Sequence, residues 1–208
     1  MAQGHPFFII FVPMEKEAKF CCAKCGKEFR AQTPMYVSVE RNPELKQEVV
    51  SGSLFVKECP YCGNRQIIRF PLVYVDTAAS LLIYLSESAA INIDDPAGFT
   101  CRLVSDAGSL IEKIKIFDAG LDDIAIEMCK FVTLQELGKQ VELKFFKLEG
   151  AEGDMIFTYP EKGEMQMLSV GLNVYEDCRK ILQRNPSIEE GAKGLVKIDR
   201  DWLSTFLA

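Results

Sequence analysis

Two short cysteine turns are the part of this 208-residue chain best suited to chemistry. The first cysteine turn (residues 22–26) reads Cys22-Ala23-Lys24-Cys25-Gly26, and the second (residues 59–63) reads Cys59-Pro60-Tyr61-Cys62-Gly63. Two residues between the cysteines place both sulfurs on one side of a tight turn, where backbone N–H groups can stabilise thiolates. The glycine that follows permits the positive φ that leads the chain away from the sulfurs. Two such turns facing each other would supply four thiolates to one metal ion.

We predict that Cys22, Cys25, Cys59 and Cys62 bind this metal ion, and that it is zinc in a closed structural site. Iron is the alternative, because rubredoxins use the same pair of turns and four-sulfur coordination suits either metal. Rubredoxins are far smaller than this chain, which favours zinc. The alternative without a metal is that the four cysteines form a cluster of free thiols or two local disulfides.

The sequence alone leaves a choice between Cys21 and Cys22 as one of the four ligands, since Cys21 and Cys25 could also face one metal. We prefer Cys22, because it preserves the two-residue spacing of the second turn. Three basic residues flank the turns and are interpreted as solvated charges that also moderate the negative charge of a four-thiolate centre, namely Lys24, Lys27 and Arg65.

The first half of the chain must position these turns, and its pattern is mostly strand-like. The runs that favour strands lie around Phe29 and at 36–39, 54–56, 67–70 and 81–85. A short helix is predicted between the two cysteine turns, with Asn42 as its N-cap, Pro43 at its first position and Gly52 at its end. A turn-rich stretch at 92–98 marks the expected end of this half.

The second half alternates predicted helices and strands. Helices are expected at 105–120, 121–132, 173–183 and 202–206, and strands at 141–148, 155–159, 165–170 and 195–198. The predicted class is therefore α+β, with a mostly-β, zinc-ribbon-like domain at 14–98, a short inserted helix, and an α+β domain at 99–208. Residues 1–13 are expected to be an extension or an edge strand, with Met14 as the alternative start.

Charge is divided unevenly along the chain. The net charge is -6, with +3 in residues 1–75 and -9 in residues 76–208. Nucleic-acid binding requires a clustered basic face, because neutralised phosphates supply most of the non-specific affinity. We therefore regard a nucleic acid as an unfavoured partner.

The cysteine content and the N-terminus favour a cytoplasmic protein. The apolar run at 7–12 is short, has no basic region before it and no cleavage site after it, so it does not resemble a signal peptide. No stretch approaches the roughly 20 apolar residues that span a bilayer. Cys101, Cys129 and Cys178 stand alone among apolar residues and are predicted to be small buried hydrophobes.

Little in the sequence points to catalysis. His5 is the only histidine, which removes most Ser-His-Asp and Cys-His arrangements, and a closed four-cysteine shell leaves no position for activated water. No phosphate-binding loop motif is present. The carboxylate pairs Asp94-Asp95, Asp122-Asp123 and Glu189-Glu190 are interpreted as caps or turn residues, and Arg102 as the partner of a structural carboxylate.

The chain resembles the CpXC protein family of bacteria and archaea, named for two Cys-Pro-x-Cys motifs. The second cysteine turn fits that motif, whereas Ala23 replaces the proline in the first, which loosens the turn but removes no ligand. The resemblance spans roughly residues 14–88, is weaker beyond Arg102, and includes Asn42-Pro43-Glu44-Leu45-Lys46, Phe70-Pro71-Leu72, Tyr74, Ile116-Phe117-Asp118 and Gly120-Leu121-Asp122-Asp123. It implies zinc-ribbon-like metal binding and no established activity. We expect a metal-stabilised binding or adaptor module with an unknown protein partner, and its oligomeric state stays open.

Overall fold

The computed structural model describes residues 15–87, residue 96 and residues 98–207. Residues 1–13, Met14 and His5 lie outside the described residues, as does most of the predicted boundary at 92–98. The chain is an α+β protein, as predicted. Within the described ranges, no helix has the length and apolar character needed to cross a bilayer.

The elements follow one another in mixed order. The strands are β1 (Glu15–Cys21), β2 (Glu28–Pro34), β3 (Tyr36–Ser38), β4 (Val56–Glu58), β5 (Arg65–Ile67), β6 (Leu72–Asp76), β7 (Leu81–Leu85), β8 (Thr100–Val104), β9 (Lys144–Glu149), β10 (Asp154–Glu161) and β11 (Glu164–Val170). The helices are α1 (Pro43–Ser51), α2 (Ala107–Asp118), α3 (Asp123–Leu137), α4 (Leu172–Arg184), α5 (Pro186–Gly191) and α6 (Arg200–Ser204).

These strands form four small sheets. Two antiparallel hairpins, β1-β2 and β4-β5, each hold one cysteine turn between their strands. A mixed sheet has the order β3-β6-β7-β8, in which only β6 and β7 are antiparallel. An antiparallel sheet of order β11-β10-β9 follows later in the chain.

The centre of the mixed sheet is buried on both faces. All residues of β6 and β7 are buried, and both strands are nearly continuous apolar runs, as expected where no face meets water. On one face Tyr74 and Ile83 pack with residues of α1 and α2. On the other face Val73 and Leu82 pack with Cys101.

The mixed sheet contains strands from both sides of the predicted domain boundary. β8 begins after residue 98, and it pairs in parallel with β7 from Leu81↔Thr100 to Leu85↔Val104. Apolar residues of α2 belong to the same core as those of β6 and β7. The division into 14–98 and 99–208 stays a prediction, and any unfolding test of it must treat β8 and α2 together with the first half.

A second core surrounds α3. Ten of its fifteen residues are buried, which is typical of a helix enclosed by other elements rather than lying on a surface. The apolar side chains of β9, β10 and α4 pack against it, as do Ile198 and Leu203 near the end of the chain. Cys101, Cys129 and Cys178 are all buried, as predicted.

Several predicted elements are confirmed. The helix α1 begins at Pro43, and the glycine that caps its C-terminus is Gly52, which has the left-handed conformation with φ of 78°. The strands at 81–85, 155–159 and 165–170 are present as β7, β10 and β11. These elements carry strong local signals, namely proline at a helix start, glycine at its end, and a Pro-Glu-Lys-Gly turn between β10 and β11.

Other expectations were wrong in detail. A strand predicted at 54–56 is a 3₁₀ turn at Ser53–Phe55 followed by β4, because Leu54 and Phe55 turn into the core directly after α1. Asp106, not Ser105, caps α2 by accepting a hydrogen bond from the Ser109 N–H at 2.8 Å. The strand predicted at 195–198 is reduced to one bridge between Val196 and Arg102.

Tyr74 offers a test of the mixed sheet's core. Its side chain is fully buried, and within the described ranges its hydroxyl has no hydrogen-bond partner. An unsatisfied buried hydroxyl is destabilising, so Tyr74→Phe is expected to raise the free energy of unfolding by about 1 kcal/mol, measured by urea denaturation. Tyr61→Phe, at an exposed tyrosine, should change it by less than about 0.5 kcal/mol. A loss of stability in Tyr74→Phe would contradict the conclusion that the buried Tyr74 hydroxyl has no hydrogen-bond partner.

Candidate metal centre

The first cysteine turn closes the β1-β2 hairpin. The Cys22 N–H donates to the Lys27 carbonyl at 3.0 Å, and the Gly26 N–H donates to the Cys22 carbonyl at 2.9 Å. Gly26 has a φ of 70°, the conformation that a glycine adopts without strain. These contacts fix both cysteines at the tip of the hairpin.

The second cysteine turn repeats this geometry in the β4-β5 hairpin. The Cys59 N–H donates to the Asn64 carbonyl at 2.9 Å, and the Gly63 N–H donates to the Cys59 carbonyl at 2.9 Å. Gly63 has a φ of 68°. The first turn therefore adopts the same backbone geometry with Ala23 in the position of proline.

The two turns bring four sulfurs into one cluster. The Sγ atoms of Cys22, Cys25, Cys59 and Cys62 all lie within 4.8 Å of one another. The Cys22 and Cys62 sulfurs are 3.6 Å apart, and those of Cys25 and Cys59 are 3.8 Å apart. A tetrahedron with Zn–S bonds of about 2.3 Å has sulfur–sulfur edges of about 3.8 Å. The four-cysteine cluster is therefore compatible with a bound metal ion.

Cys21 lies beside the four-cysteine cluster but is not a member of it. Its side chain is exposed, and its Sγ donates to the Gly26 carbonyl at 3.4 Å. Cys22, in contrast, is only 1% exposed. This geometry supports Cys22 rather than Cys21 as the ligand candidate.

Backbone and sulfur contacts shift the acidity of the cluster in opposite directions. The backbone N–H of Cys25, assisted by that of Lys24, lowers the pKa of Cys22 to about 6. The backbone N–H of Asn64 acts to lower the pKa of Cys62, but burial and the three neighbouring sulfurs outweigh it and raise that pKa to about 12. Four adjacent thiolates would repel one another, and a divalent metal ion bound by all four sulfurs would offset two of their four negative charges.

One side chain joins the two turns to each other. Gln66 of β5 accepts a hydrogen bond from the Ala23 N–H at 2.8 Å through Oε1. Its Nε2 donates to the Cys21 carbonyl at 2.9 Å. Gln66 thus holds the first turn in position from the hairpin that carries the second.

We expect Gln66→Leu to weaken metal binding by about tenfold, because removing the partners that orient metal ligands has effects of this size. Competition with a chromophoric chelator measures the affinity directly. Gln32→Leu is the matched control, since Gln32 is an exposed residue of β2 and should leave the affinity unchanged. Equal metal affinities for wild type and Gln66→Leu would show that the two turns hold their positions without the Gln66 hydrogen bonds.

The surface around the four-cysteine cluster combines charge with apolar side chains. Lys24, Lys27 and Arg65 are exposed, as predicted. The Lys27 ammonium lies 5.0 Å from the centroid of the Tyr61 ring. Tyr61 of the second turn is 58% exposed and Ile67 at the end of β5 is 73% exposed, so two large apolar side chains of the β4-β5 hairpin contact solvent.

The remaining candidates from the sequence have structural positions. Asp122 caps α3 by accepting hydrogen bonds from the N–H groups of Ile124 and Ala125. Asp123 and Arg102 form a buried ion pair, with distances of 2.9 and 3.1 Å. The pair Glu189-Glu190 lies on α5 and is exposed, whereas Asp94-Asp95 lies outside the described residues. Caps and paired charges are thus the roles that the structure supports for those described.

Sequence reasoning missed a group of buried ionic residues. Glu112, Lys113, Glu127 and Lys130 are all buried, and none was singled out from the sequence. A charged residue within an amphipathic helix is normally expected to face water. The only available signal was the density of apolar residues around the whole of α3, which indicates a helix enclosed on all sides.

Two matching cysteine hairpins with four clustered sulfurs, joined to an α+β body, define the class of proteins with a ribbon-like four-cysteine site. The chain belongs to the CpXC protein family, whose model matches residues 20–130, more than half of the chain. The match extends beyond the region of clear resemblance and includes β8, α2 and the first half of α3. Searches among curated proteins and among solved structures find no match.

Proposed function

We propose that Cys22, Cys25, Cys59 and Cys62 bind one zinc ion in a closed structural site. The observation that supports this is the meeting of four sulfurs from two matching turns at the spacing of a tetrahedral shell. Zinc in such a site contributes to folding and leaves no coordination position for a reacting water. The proposed role of the zinc site is thus to stabilise the folded structure of the two hairpins.

The small core under the turns explains why a metal would be needed there. Within the part of the chain that the structure describes, its buried members are Cys22, Phe29 and Cys59, with a few half-buried neighbours. An isolated two-stranded hairpin is marginally stable in water. A structural zinc ion contributes roughly 10–16 kcal/mol in zinc-finger peptides, enough to hold two such hairpins together.

Zinc and iron are distinguished by colour. Zinc has no redox chemistry, so the purified protein is expected to be colourless and unaffected by reductant. A visible charge-transfer band that disappears on reduction would instead assign iron and an electron-transfer role. The proposal places the protein in the cytoplasm, because metal-binding thiolates must stay reduced.

We infer further that the zinc-bound hairpins present a binding surface for a protein partner. Tyr61 and Ile67 stand exposed on the β4-β5 hairpin, and large exposed side chains on a rigid support are typical anchors of protein interfaces. The function that we propose is therefore an adaptor whose contact surface is held in shape by the metal.

The adaptor role is tested by affinity purification of the full chain with and without its exposed anchors. A partner protein should be recovered with wild type and be lost with the double variant Tyr61→Ser, Ile67→Ser. Ile181→Ser is the control, because Ile181 is 41% exposed on α4 and lies outside the hairpins. Recovery that is equal for all three proteins would exclude this surface, and salt-sensitive recovery of nucleic acid would favour that partner instead.

A further inference from the structure

The strand β11 is one edge of the antiparallel sheet β11-β10-β9. Within the described residues it pairs only with β10, from Met155↔Val170 to Glu161↔Glu164. An edge strand presents a row of N–H and C=O groups without partners, and such a row is a template for pairing with another strand. The free side of β11 is therefore a candidate interaction surface.

The hairpin between β10 and β11 determines which backbone groups face outward. Both residues of its loop, Lys162 and Gly163, have positive φ values, 54° and 83°, as in the type I′ turn of a two-residue hairpin. The residues that flank such a loop form a hydrogen-bonded pair, and hydrogen-bonded pairs then alternate along the two strands. The N–H and C=O groups of Met165, Met167 and Ser169 consequently point away from β10.

The side chains of this edge lack the features that normally prevent strand pairing. Met165 and Met167 are 63% and 64% exposed, and Ser169 is exposed on the same face of the sheet. Glu164 is the one charged residue among the seven of β11, whereas β9, the opposite edge of the same sheet, has three charged residues among six. Charged residues and prolines are the usual means by which edge strands avoid pairing. The composition of β11 thus favours a strand that is paired.

The outward-facing residues of β11 are complementary to themselves in one antiparallel register. With a two-fold axis at Met167, this residue lies opposite its own copy, and Met165 lies opposite Ser169. All three outward-facing residues of each strand then have partners, and since each hydrogen-bonded pair exchanges two bonds, about six backbone hydrogen bonds form. A second copy of this chain is therefore an occupant that fits the whole edge.

The same register brings complementary charges together at both ends of the strand pair. Glu164 lies opposite Val170 of the second copy, one residue before Gly171, which is the N-cap of α4. Within the described part of the chain, the first turn of α4 has neither a side-chain cap nor an acidic residue. Because the N-terminus of a helix carries a partial positive charge, the Glu164 carboxylate of the second copy would be attracted to it.

We propose that two copies of this chain associate by antiparallel pairing of their β11 strands, centred on Met167. The pairing joins the two β11-β10-β9 sheets into one continuous sheet. Met165 and Met167 of both copies cover one face of the new strand pair, where their flexible side chains pack against each other. A single strand pair gives an interface at the small end of the range for specific contacts, so a dissociation constant of about 10–100 µM is expected.

Sedimentation equilibrium of the full, metal-loaded protein measures this association. The buffer contains salt at about 0.15 M, which screens the net charge of -6 on each copy. A monomer–dimer equilibrium is expected, with dimer predominating at about 500 µM. A chain that is entirely monomeric at about 500 µM would overturn the proposal, and the edge would then be open to a different segment or to another protein.

Met167→Lys locates the contact on β11. It is expected to weaken dimerisation by about fivefold or more, because two lysines would face each other across the axis and like charges directly opposite destabilise a strand pair. Ile67→Lys is the matched control, since Ile67 is a comparably exposed apolar residue on the β4-β5 hairpin, and its affinity should stay within about twofold of wild type. A dimer that is lost in Ile67→Lys and kept in Met167→Lys would contradict the proposed interface.

An equimolar mixture of Met167→Lys and Met167→Glu tests the two-fold register. Each variant repels itself when alone, whereas in the mixed dimer a lysine faces a glutamate at the same position of the second copy. Sedimentation of the mixture should show association restored to within about threefold of the wild-type affinity. A mixture that associates as weakly as either variant alone would contradict pairing centred on Met167.

Discussion

Cys59→Ser is expected to abolish metal binding and to unfold the β1-β2 and β4-β5 hairpins while the rest of the chain stays folded. The Cys59 side chain is fully buried and its sulfur lies 3.8 Å from that of Cys25, so serine would place a weak ligand at the centre of the cluster. A structural zinc ion contributes roughly 10–16 kcal/mol to the folding of small metal domains. The hairpins' small apolar core cannot replace a contribution of that size.

Hydrogen exchange measured residue by residue detects this change. Amides of β1, β2, β4 and β5 should lose at least about a hundredfold in protection, whereas those of β7 and α3 should keep theirs. Cys21→Ser is the matched control, because Cys21 is the exposed neighbour of Cys22 and lies outside the cluster. Wild-type protection in Cys59→Ser, or loss of protection in Cys21→Ser, would contradict the proposed ligand set.

Asp123→Asn is expected to destabilise the protein by about 3–5 kcal/mol, because breaking a buried ion pair leaves its partners uncompensated. Asp123 is 2% exposed and is the shared partner of Arg102 and Lys113. For a domain of this size the melting temperature should fall by roughly 10 °C, measured by calorimetry. Asp177→Asn provides the control, since Asp177 pairs with Lys180 at the surface and should change stability by less than about 0.5 kcal/mol.

The Asp123 carboxylate also makes the stability difference between wild type and Asp123→Asn depend on pH. Burial alone would raise the pKa of Asp123, but the charges of Lys113 and Arg102 outweigh it and hold that pKa at about 2. An unfolded aspartate has a pKa of about 3.9, so the ionised form stabilises the fold fully above about pH 4. The stability difference between wild type and Asp123→Asn should therefore shrink as the pH falls from about 4 to about 2. A difference that does not change over this range would show that the ion pair contributes little.

The features predicted from the sequence are those set by local chemistry. The cysteine spacing and the glycines at Gly26 and Gly63 predict two matching turns, and the structure has both. Pro43 and Gly52 predict the ends of α1 because each acts through its own backbone. The α+β class follows from the alternation of helical and strand patterns, which neighbours along the chain determine.

The features that escaped prediction depend on residues distant in sequence. β8 is a short strand, and only its pairing with β7 makes it part of the mixed sheet. Gln66 acts on a turn more than forty residues earlier, a contact that no local pattern indicates. Lys113 and Lys130 look like surface residues of two helices, and they are buried only because α2 and α3 face each other.

Metal content tests the central claim most directly, and mass spectrometry measures it on protein purified without chelator or added metal. The four-cysteine cluster predicts one zinc ion per chain in the wild type and none in Cys62→Ser. Cys21→Ser should keep its zinc ion. A wild-type chain that carries no metal, or a Cys62→Ser chain that retains a full equivalent, would contradict the proposed site.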